Sequence, residues 1–378
     1  MNTKIAAFLR DSRPATPCLV MDLDIVADNF CALRAALPDT RIFYAVKANP
    51  APAILKLLVA AGSSFDCASI PEIDMVLAAG ATPDRISFGN TIKKESDVAA
   101  AFERGVRLYA FDSEAELDKV ARAAPGSRVF CRILTSGEGA EWPLSRKFGC
   151  EPEMAKELLL AARFKGVEPY GVSFHVGSQQ RDLEQYDRAL AEVADIFHDL
   201  AGKGLELKMV NLGGGFATKY MVDIPTAEQY GQAIRDSLLK HFGNRMPETI
   251  IEPGRGMVGN AGVIQSEVVL ISKKSANDNR SWVYLDIGKF GGLAETMDEA
   301  IKYPLVTEHD AEGAESEPVI IAGPTCDSAD ILYDKADYRL PTALRIGDKV
   351  EIRAAGAYTT TYASNGFNGF APLTEYYI

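Results

Sequence analysis

The sequence predicts an α/β protein: a (β/α)8 TIM-like barrel over residues 22–261, then a β-rich, barrel- or sandwich-like domain over 262–378 that also takes in residues 1–21. Three observations point there. Short β-branched and aromatic runs alternate with helical periodicity until eight strand-like segments have passed, the number at which a parallel sheet closes on itself. Near Gly262 the texture changes to strands with no long helix between them. No Gly-x-Gly-x-x-Gly turn follows the first strand, which removes the main signal for an open doubly wound sheet.

The elements follow in order. Residues 18–21 read as a short strand, and Asp22 or Asp24 can cap a helix over 25–37. Strands are expected at 41–46, 64–67, 85–88, 107–111, 128–134, 170–175, 208–212 and 249–252. Helices fill the gaps at 53–61, 72–79, 95–104, 114–123, 153–163, 183–200 and 227–241. Beyond them 263–271, 282–286, 319–322 and 349–352 read as strands, and the polar stretch 308–317 as a solvated loop.

The totals narrow the function. The 378 residues are 47% hydrophobic and 24% charged, the make-up of an ordinary globular protein. Forty basic against fifty-two acidic side chains leave a net charge of -12, which disfavours nucleic-acid and membrane partners and mildly favours a cationic small molecule. The six cysteines form no Cys-x-x-Cys pair and read as reduced thiols, and only His175 of the four histidines sits in a motif, so no metal site is expected. The apolar part of the N-terminus is short for a signal peptide and no run is long enough to span a bilayer, so a cytoplasmic enzyme is expected.

Residues that carry chemistry fall at strand ends, where the active site of such a barrel lies. Lys47 ends the first strand, before the breaker Asn49-Pro50. Taken alone it is either an amine whose pKa falls on burial, able to condense with an aldehyde, or a lysine that snorkels its ammonium to water. Asp66 ends the second strand, with Glu72 in the turn after it, and Arg132 lies near the end of the fifth. His175 ends the sixth, followed by Val-Gly-Ser178. Asn211-Leu-Gly213-Gly214-Gly215 ends the seventh and Glu252-Pro-Gly254-Arg255-Gly256 the eighth.

Three consecutive glycines let backbone N–H groups converge on an anion, and a helix beginning after them would add its positive end. A lone glycine run also reads as a flexible loop. Beside Gly254 and Arg255 at the next strand end, it reads as a phosphate cradle. An imine-forming lysine and a phosphate cradle at one rim suggest pyridoxal 5'-phosphate. That cofactor needs a carboxylate at its ring nitrogen, for which Glu252 is placed, and a flat partner on one ring face, for which His175 is placed.

At this point a resemblance is plain. Phe43-Tyr-Ala-Val-Lys47-Ala-Asn49, Phe65-Asp-Cys-Ala-Ser69, Ser173-Phe-His-Val-Gly-Ser178, Gly213-Gly-Gly215-Phe, Glu252-Pro-Gly-Arg255, Gly323-Pro-Thr-Cys-Asp327 and Gly356-Ala-Tyr358 are similar to motifs of the barrel-fold pyridoxal-phosphate decarboxylases. Within them the chain resembles the ornithine decarboxylases, over about 15–370. The resemblance implies that Lys47 carries the cofactor as a Schiff base, Glu252 pairs with the ring nitrogen and His175 stacks on the ring. It implies that Ser178, Gly213, Gly214, Gly215, Gly254, Arg255 and Tyr358 hold the phosphate, with Asp66, Glu72 and Arg132 as polar support. It further implies a homodimer in which the partner subunit presents Cys326, the proton donor, and Asp327. Asp327 and Asp298 would bind the distal ammonium of a basic amino acid, with Phe290 and Phe367 lining the pocket. The expected reaction is L-ornithine to putrescine in polyamine biosynthesis, with L-lysine to cadaverine beside it.

There are departures. Phe290 stands where many ornithine decarboxylases carry tyrosine, the spacing to Asp298 is shorter by one residue, and Asn211 stands where the family usually has aspartate. Phe367 matches only across one inserted residue. These features look like the shorter bacterial members, some of which accept lysine as well. A diaminopimelate decarboxylase is the alternative enzyme; it must bind a distal carboxylate and usually has Cys-Glu-Ser where this chain has Cys326-Asp327-Ser328. Arginine decarboxylases of this fold are generally longer. A racemase of the same barrel would set a tyrosine opposite the lysine, in the place that Cys326 takes here. A non-catalytic member acting as a binding protein would have lost the lysine, the cradle or the cysteine, and all three are present.

Overall fold

The computed structural model describes residues 3–142, 146–310 and 313–378. The chain forms two compact units, one of Ala27–Ala217 and Ile224–Met257, the other of residues up to Val26 with Thr218–Asp223 and Val258–Ile378.

The first unit is a closed barrel of parallel strands: β1 (Thr40–Ala45), β2 (Ser64–Cys67), β3 (Ile86–Phe88), β4 (Leu108–Phe111), β5 (Arg128–Arg132), β6 (Glu168–Ser173), β7 (Met209–Asn211) and β8 (Glu248–Ile251). Closure comes from β8 against β1, with Thr249, Ile250 and Ile251 opposite Thr40, Arg41 and Ile42. Parallel strands covered on both faces need near-continuous apolar runs, and in β1 every residue from Ile42 to Ala45 is buried. The barrel interior is filled by Phe43, Leu108, Ala110, Phe130, Tyr170, Met209 and Ile250, so it is a packed core and not a pore. Gly171 sits in that wall because a Cβ there would come 2.1 Å from the Met209 carbonyl oxygen.

The helices between strands begin and end on local signals. Pro52 opens Pro52–Ala61, and Gly62, at φ +93°, closes it with its N–H on the Val59 carbonyl. The Ser69 hydroxyl accepts from the Glu72 N–H at the start of Ile70–Ala78. Thr226 and Gln229 form a reciprocal capping box at Ala227–Phe242.

The second unit holds a nine-stranded mixed sheet. Its long strand, Gly262–Ser272, pairs with Cys18–Met21, Ser281–Leu285 and Lys349–Arg353, all antiparallel, and Ser281–Leu285 runs parallel to Ser316–Ala322. The four expected strands are present. The short ones at Leu305–Thr307, Ile331–Tyr333, Arg339–Pro341 and Thr374–Tyr377 gave no signal, since three or four residues cannot establish a period. An unexpected helix, Thr3–Ser12, packs Ile5 and Leu9 against Cys18, Val20 and Val263. The expected loop over 308–317 is a turn at Glu308–His309 that becomes strand at Ser316; residues 311 and 312 lie outside the described residues.

Candidate active site

The C-terminal ends of the barrel strands gather one electrostatic cluster. Asp66 is the penultimate residue of β2, Arg132 the last of β5 and Asn211 the last of β7; Glu252 follows β8 and His175 stands two residues beyond β6. Lys47 does not end the strand, as expected, but lies in a single 3-10 turn, Val46–Ala48, and is exposed. The turn is held at its far side by the Tyr44 hydroxyl donating to the Asn49 carbonyl at 2.9 Å and the Ala51 N–H donating to Asn49 Oδ1 at 3.1 Å. Its near side is tied to the chain just after the neighbouring strand β8, where the Ala45 N–H donates to the Pro253 carbonyl at 3.0 Å.

These groups set one another's charge. Burial pushes the Glu252 carboxyl up to about 8, the Asp66 charge adds to that, and the Asn211 amide, Lys47 and Arg132 oppose it. Burial also raises Asp66, against Lys47 and Arg132, and raises Glu72, whose Oε2 accepts the Ala68 N–H at 2.7 Å. Asp66 Oδ1 is buried with no hydrogen-bond partner among the described residues. Arg132 is lowered by burial and held up by Glu252, Asp112 and Asp66. Burial, with the charges of Arg132 and Lys47, pushes His175 down to about 3, so its imidazole is neutral. The Gly177 N–H donates to His175 Nδ1 at 2.9 Å, which places the ring proton on Nε2.

The glycine turn is sterically obligatory. Gly213 has φ +67° and a Cβ there would meet the Phe174 carbonyl oxygen at 2.1 Å; at Gly214 a Cβ would meet the Glu252 carbonyl oxygen at 2.8 Å. The turn thus packs directly against the chain that follows β6 and β8. Close by in this unit, buried Arg255 donates from Nε and Nη2 to Ser178 Oγ, both at 3.2 Å, just after Gly254. The expected helix after the glycines is absent: irregular chain follows Gly215, and only the single turn Arg255–Val258 stands after β8. The groups beside the glycine turn are therefore Ser178 and Arg255, without a helix end.

Tyr358, Cys326, Asp327, Asp298, Phe290 and Phe367 belong to the other unit. There the Phe290 and Phe367 rings lie 4.8 Å apart and line a cavity of about 270 Å³ with Thr325, Ser364 and Phe370. The exposed Cys326 donates its N–H to Asn368 Oδ1 at 3.0 Å, and Asp327 Oδ1 accepts from the Ala329 N–H at 2.8 Å. Asp298 is exposed in the left-handed region, φ +52°, and Tyr358 shares that conformation at φ +57°.

Three residues with work at these places went unread. Buried Asp330 accepts from the Lys289 N–H at 2.8 Å and the Thr325 hydroxyl at 2.7 Å, joining the loop of Phe290 to the loop of Cys326. A Cβ on Gly288 or Gly323 would collide with that carboxylate at 2.1 and 2.4 Å. Asp112 accepts from the Gly149 N–H at 2.8 Å and lends its charge to Arg132. Asn211, noted only as a departure, bonds Glu252 directly at 2.5 Å. The spacing Gly323 to Asp330 carried a signal for the first; the other two needed contacts between strands.

Comparison with known proteins decides the family. The model described as "Pyridoxal-dependent decarboxylase, pyridoxal binding domain" matches residues 23–259. The chain belongs to the pyridoxal-dependent decarboxylases. A lysine/ornithine decarboxylase of Selenomonas ruminantium is 36% identical over 363 residues, 95% of this chain and 88% of that one. The structure of the Selenomonas ruminantium lysine decarboxylase with PLP and cadaverine has a TM-score of 0.88 at 32% identity, covering 99% and 93% of the two chains. An arginine decarboxylase of Paramecium bursaria Chlorella virus, bound to agmatine, has a TM-score of 0.90 at 29% identity over 100% of both chains. Since each chain covers the whole of the other, length does not separate this chain from that enzyme.

The cofactor of this family member is pyridoxal 5'-phosphate, and the rim fits it. Arg255 and Ser178 set polar groups beside the glycine turn, the neutral imidazole is flat, and a carboxyl with high proton affinity stands beside both.

Proposed function

We propose that this decarboxylase acts on a basic L-amino acid, with L-ornithine as main substrate and L-lysine as a second one. Bound pyridoxal phosphate supplies an aldehyde that joins to amines and a protonated ring that takes up the electron pair left when carbon dioxide departs. The chain's own groups do the rest. Lys47 Nζ is the amine that anchors the cofactor and yields to the substrate amine. The N–H groups of Gly213–Gly215 and Gly254, with Ser178, Arg255 and Tyr358, bind the phosphate. His175 lies flat on the ring and, being neutral, adds no charge against the ring proton. Glu252 holds that proton at the ring nitrogen, and Asp66, Glu72 and Arg132 surround Lys47 and Glu252 with balancing charge. Cys326 Sγ delivers a proton to the carbon that lost carbon dioxide.

The observation that carries the substrate class is the carboxylate of Asp327 next to Cys326, on a loop clamped to that of Phe290. With Asp298 it binds a distal ammonium, while Phe290 and Phe367 cover the methylenes; a distal carboxylate would be repelled. Two copies make the complete enzyme, each lending Cys326 and Asp327 to the other's Lys47. A cytoplasmic setting agrees with six cysteines that are all free thiols. No helix among the described residues is long and apolar enough to cross a membrane.

The test supplies the protein and cofactor separately with L-ornithine, L-lysine, L-arginine and meso-diaminopimelate, and identifies each amine product. Putrescine in excess supports the reading, with cadaverine as the lesser product. Agmatine alone would move the substrate to arginine. Lysine formed from diaminopimelate alone would overturn the role of Asp327.

A further inference from the structure

The amide of Asn211 is fully buried and spent at both ends. Its Nδ2 donates to Glu252 Oε1 at 2.5 Å, and its Oδ1 accepts from the Gly213 N–H at 2.9 Å. The Glu252 N–H in turn donates to the Gly213 carbonyl at 2.8 Å, which closes a ring of three hydrogen bonds between the ends of β7 and β8. Gly213 is the left-handed residue that opens the phosphate turn, and Glu252 is the carboxyl placed at the ring nitrogen. We propose that Asn211 is a positioning residue that sets both ends of the cofactor site with one side chain, aiming the Glu252 carboxyl at the ring nitrogen while fixing the glycine turn for the phosphate.

The amide bonds Glu252 differently from the aspartate that usually stands here in the resembled decarboxylases. A carboxylate here could still accept from Gly213, but it has no proton to give Glu252 and would place a second negative charge against it. It can bond Glu252 only while that carboxyl keeps its proton, so the titration of the site would change. An alanine would release both ends. The two substitutions therefore separate the two functions of the side chain.

This inference rests on the assignment of Glu252 to the ring nitrogen made above. The experiment prepares the cofactor-free wild type, Asn211→Asp and Asn211→Ala, and checks their folding by circular dichroism. It then measures pyridoxal phosphate affinity, the pH titration of the bound cofactor's absorbance and its phosphorus resonance. Asn211→Asp is expected to keep the wild-type phosphorus resonance and cofactor binding and to titrate at a different pH. Asn211→Ala is expected to change the resonance and the titration together. Asn211→Asp that titrates like the wild type, or Asn211→Ala with wild-type resonance and titration, would overturn the proposal and leave Glu252 in its role. A Glu252→Ala protein whose cofactor titrates like the wild type would instead remove the ring-nitrogen assignment, and this inference with it.

Discussion

Glu252 and His175 share one rim and titrate in opposite senses. His175 falls from 6.5 to about 3 on folding, so between those values the unfolded chain takes up a proton that the folded one refuses. Its contribution to stability is present above pH 6.5 and is lost as the pH falls toward 3. Glu252 rises from 4.5 to about 8, so the folded chain keeps a proton that the unfolded one has released. Its contribution is present below pH 4.5 and is lost as the pH rises through 8. Thermal unfolding of the cofactor-free protein against pH should show both: Glu252→Gln gains stability relative to wild type between pH 5 and 9, and His175→Gln loses less between pH 6.5 and 4. Curves parallel to wild type would show that these two groups do not titrate as argued. Lys47→Ala, an exposed position in a short turn, should fold normally yet form no covalent link to the cofactor and no product; a yellow, active variant would remove Lys47 from its role. Cys326→Ala should keep the cofactor and slow or misdirect protonation, read from the ratio of amine to aldehyde product.

At the scale of elements, two turns carry the site. Gly213→Ala forces a side chain into a left-handed residue, at about 1–2 kcal/mol, and into the Phe174 carbonyl 2.1 Å away. The barrel core does not depend on that turn, so cofactor affinity should fall about tenfold or more while far-ultraviolet circular dichroism stays as it is. In the other unit Asp330 is the joint between two loops, and each of its bonds joins a charged group to a backbone or hydroxyl donor. Asp330→Ala leaves the Lys289 and Thr325 donors without their acceptor, at about 2–4 kcal/mol, and frees the loops of Phe290 and Cys326 to move apart. The expected outcome is a raised KM for the amino acid with cofactor affinity unchanged. Equal losses of both would make Asp330 a residue of general stability instead.

For the whole molecule, the proposal that matters most is the sharing of sites between two copies. Lys47→Ala and Cys326→Ala are each inactive or crippled alone. If the two residues of a site come from different chains, an equal mixture gives half mixed dimers with one intact site each, and about a quarter of wild-type activity returns. If both come from the same chain, mixing restores nothing. The acidic surface and the clamped Asp327 together bear on substrate choice, and the product panel reads that choice directly.

The order of strands and helices was legible from periodicity, because a buried parallel strand must be apolar along its length and a helix must repeat near every fourth residue. The places of Asp66, Arg132, His175 and Glu252 were legible because barrel chemistry falls where strands end. What sequence alone could not supply was anything that depends on two distant segments meeting. Periodicity carried Lys47 to the end of β1, whereas the strand stops two residues earlier at Ala45 and the lysine stands in the 3-10 turn beyond it. The glycine run promised a helix behind it, and the chain after Gly215 forms none. Asn211 looked like an odd substitution until β8 brought Glu252 within 2.5 Å of it. Charge state follows the same division: a carboxyl's pKa is set by burial and by its neighbours, and the neighbours of Glu252 from four other strand ends exist only once the barrel has closed.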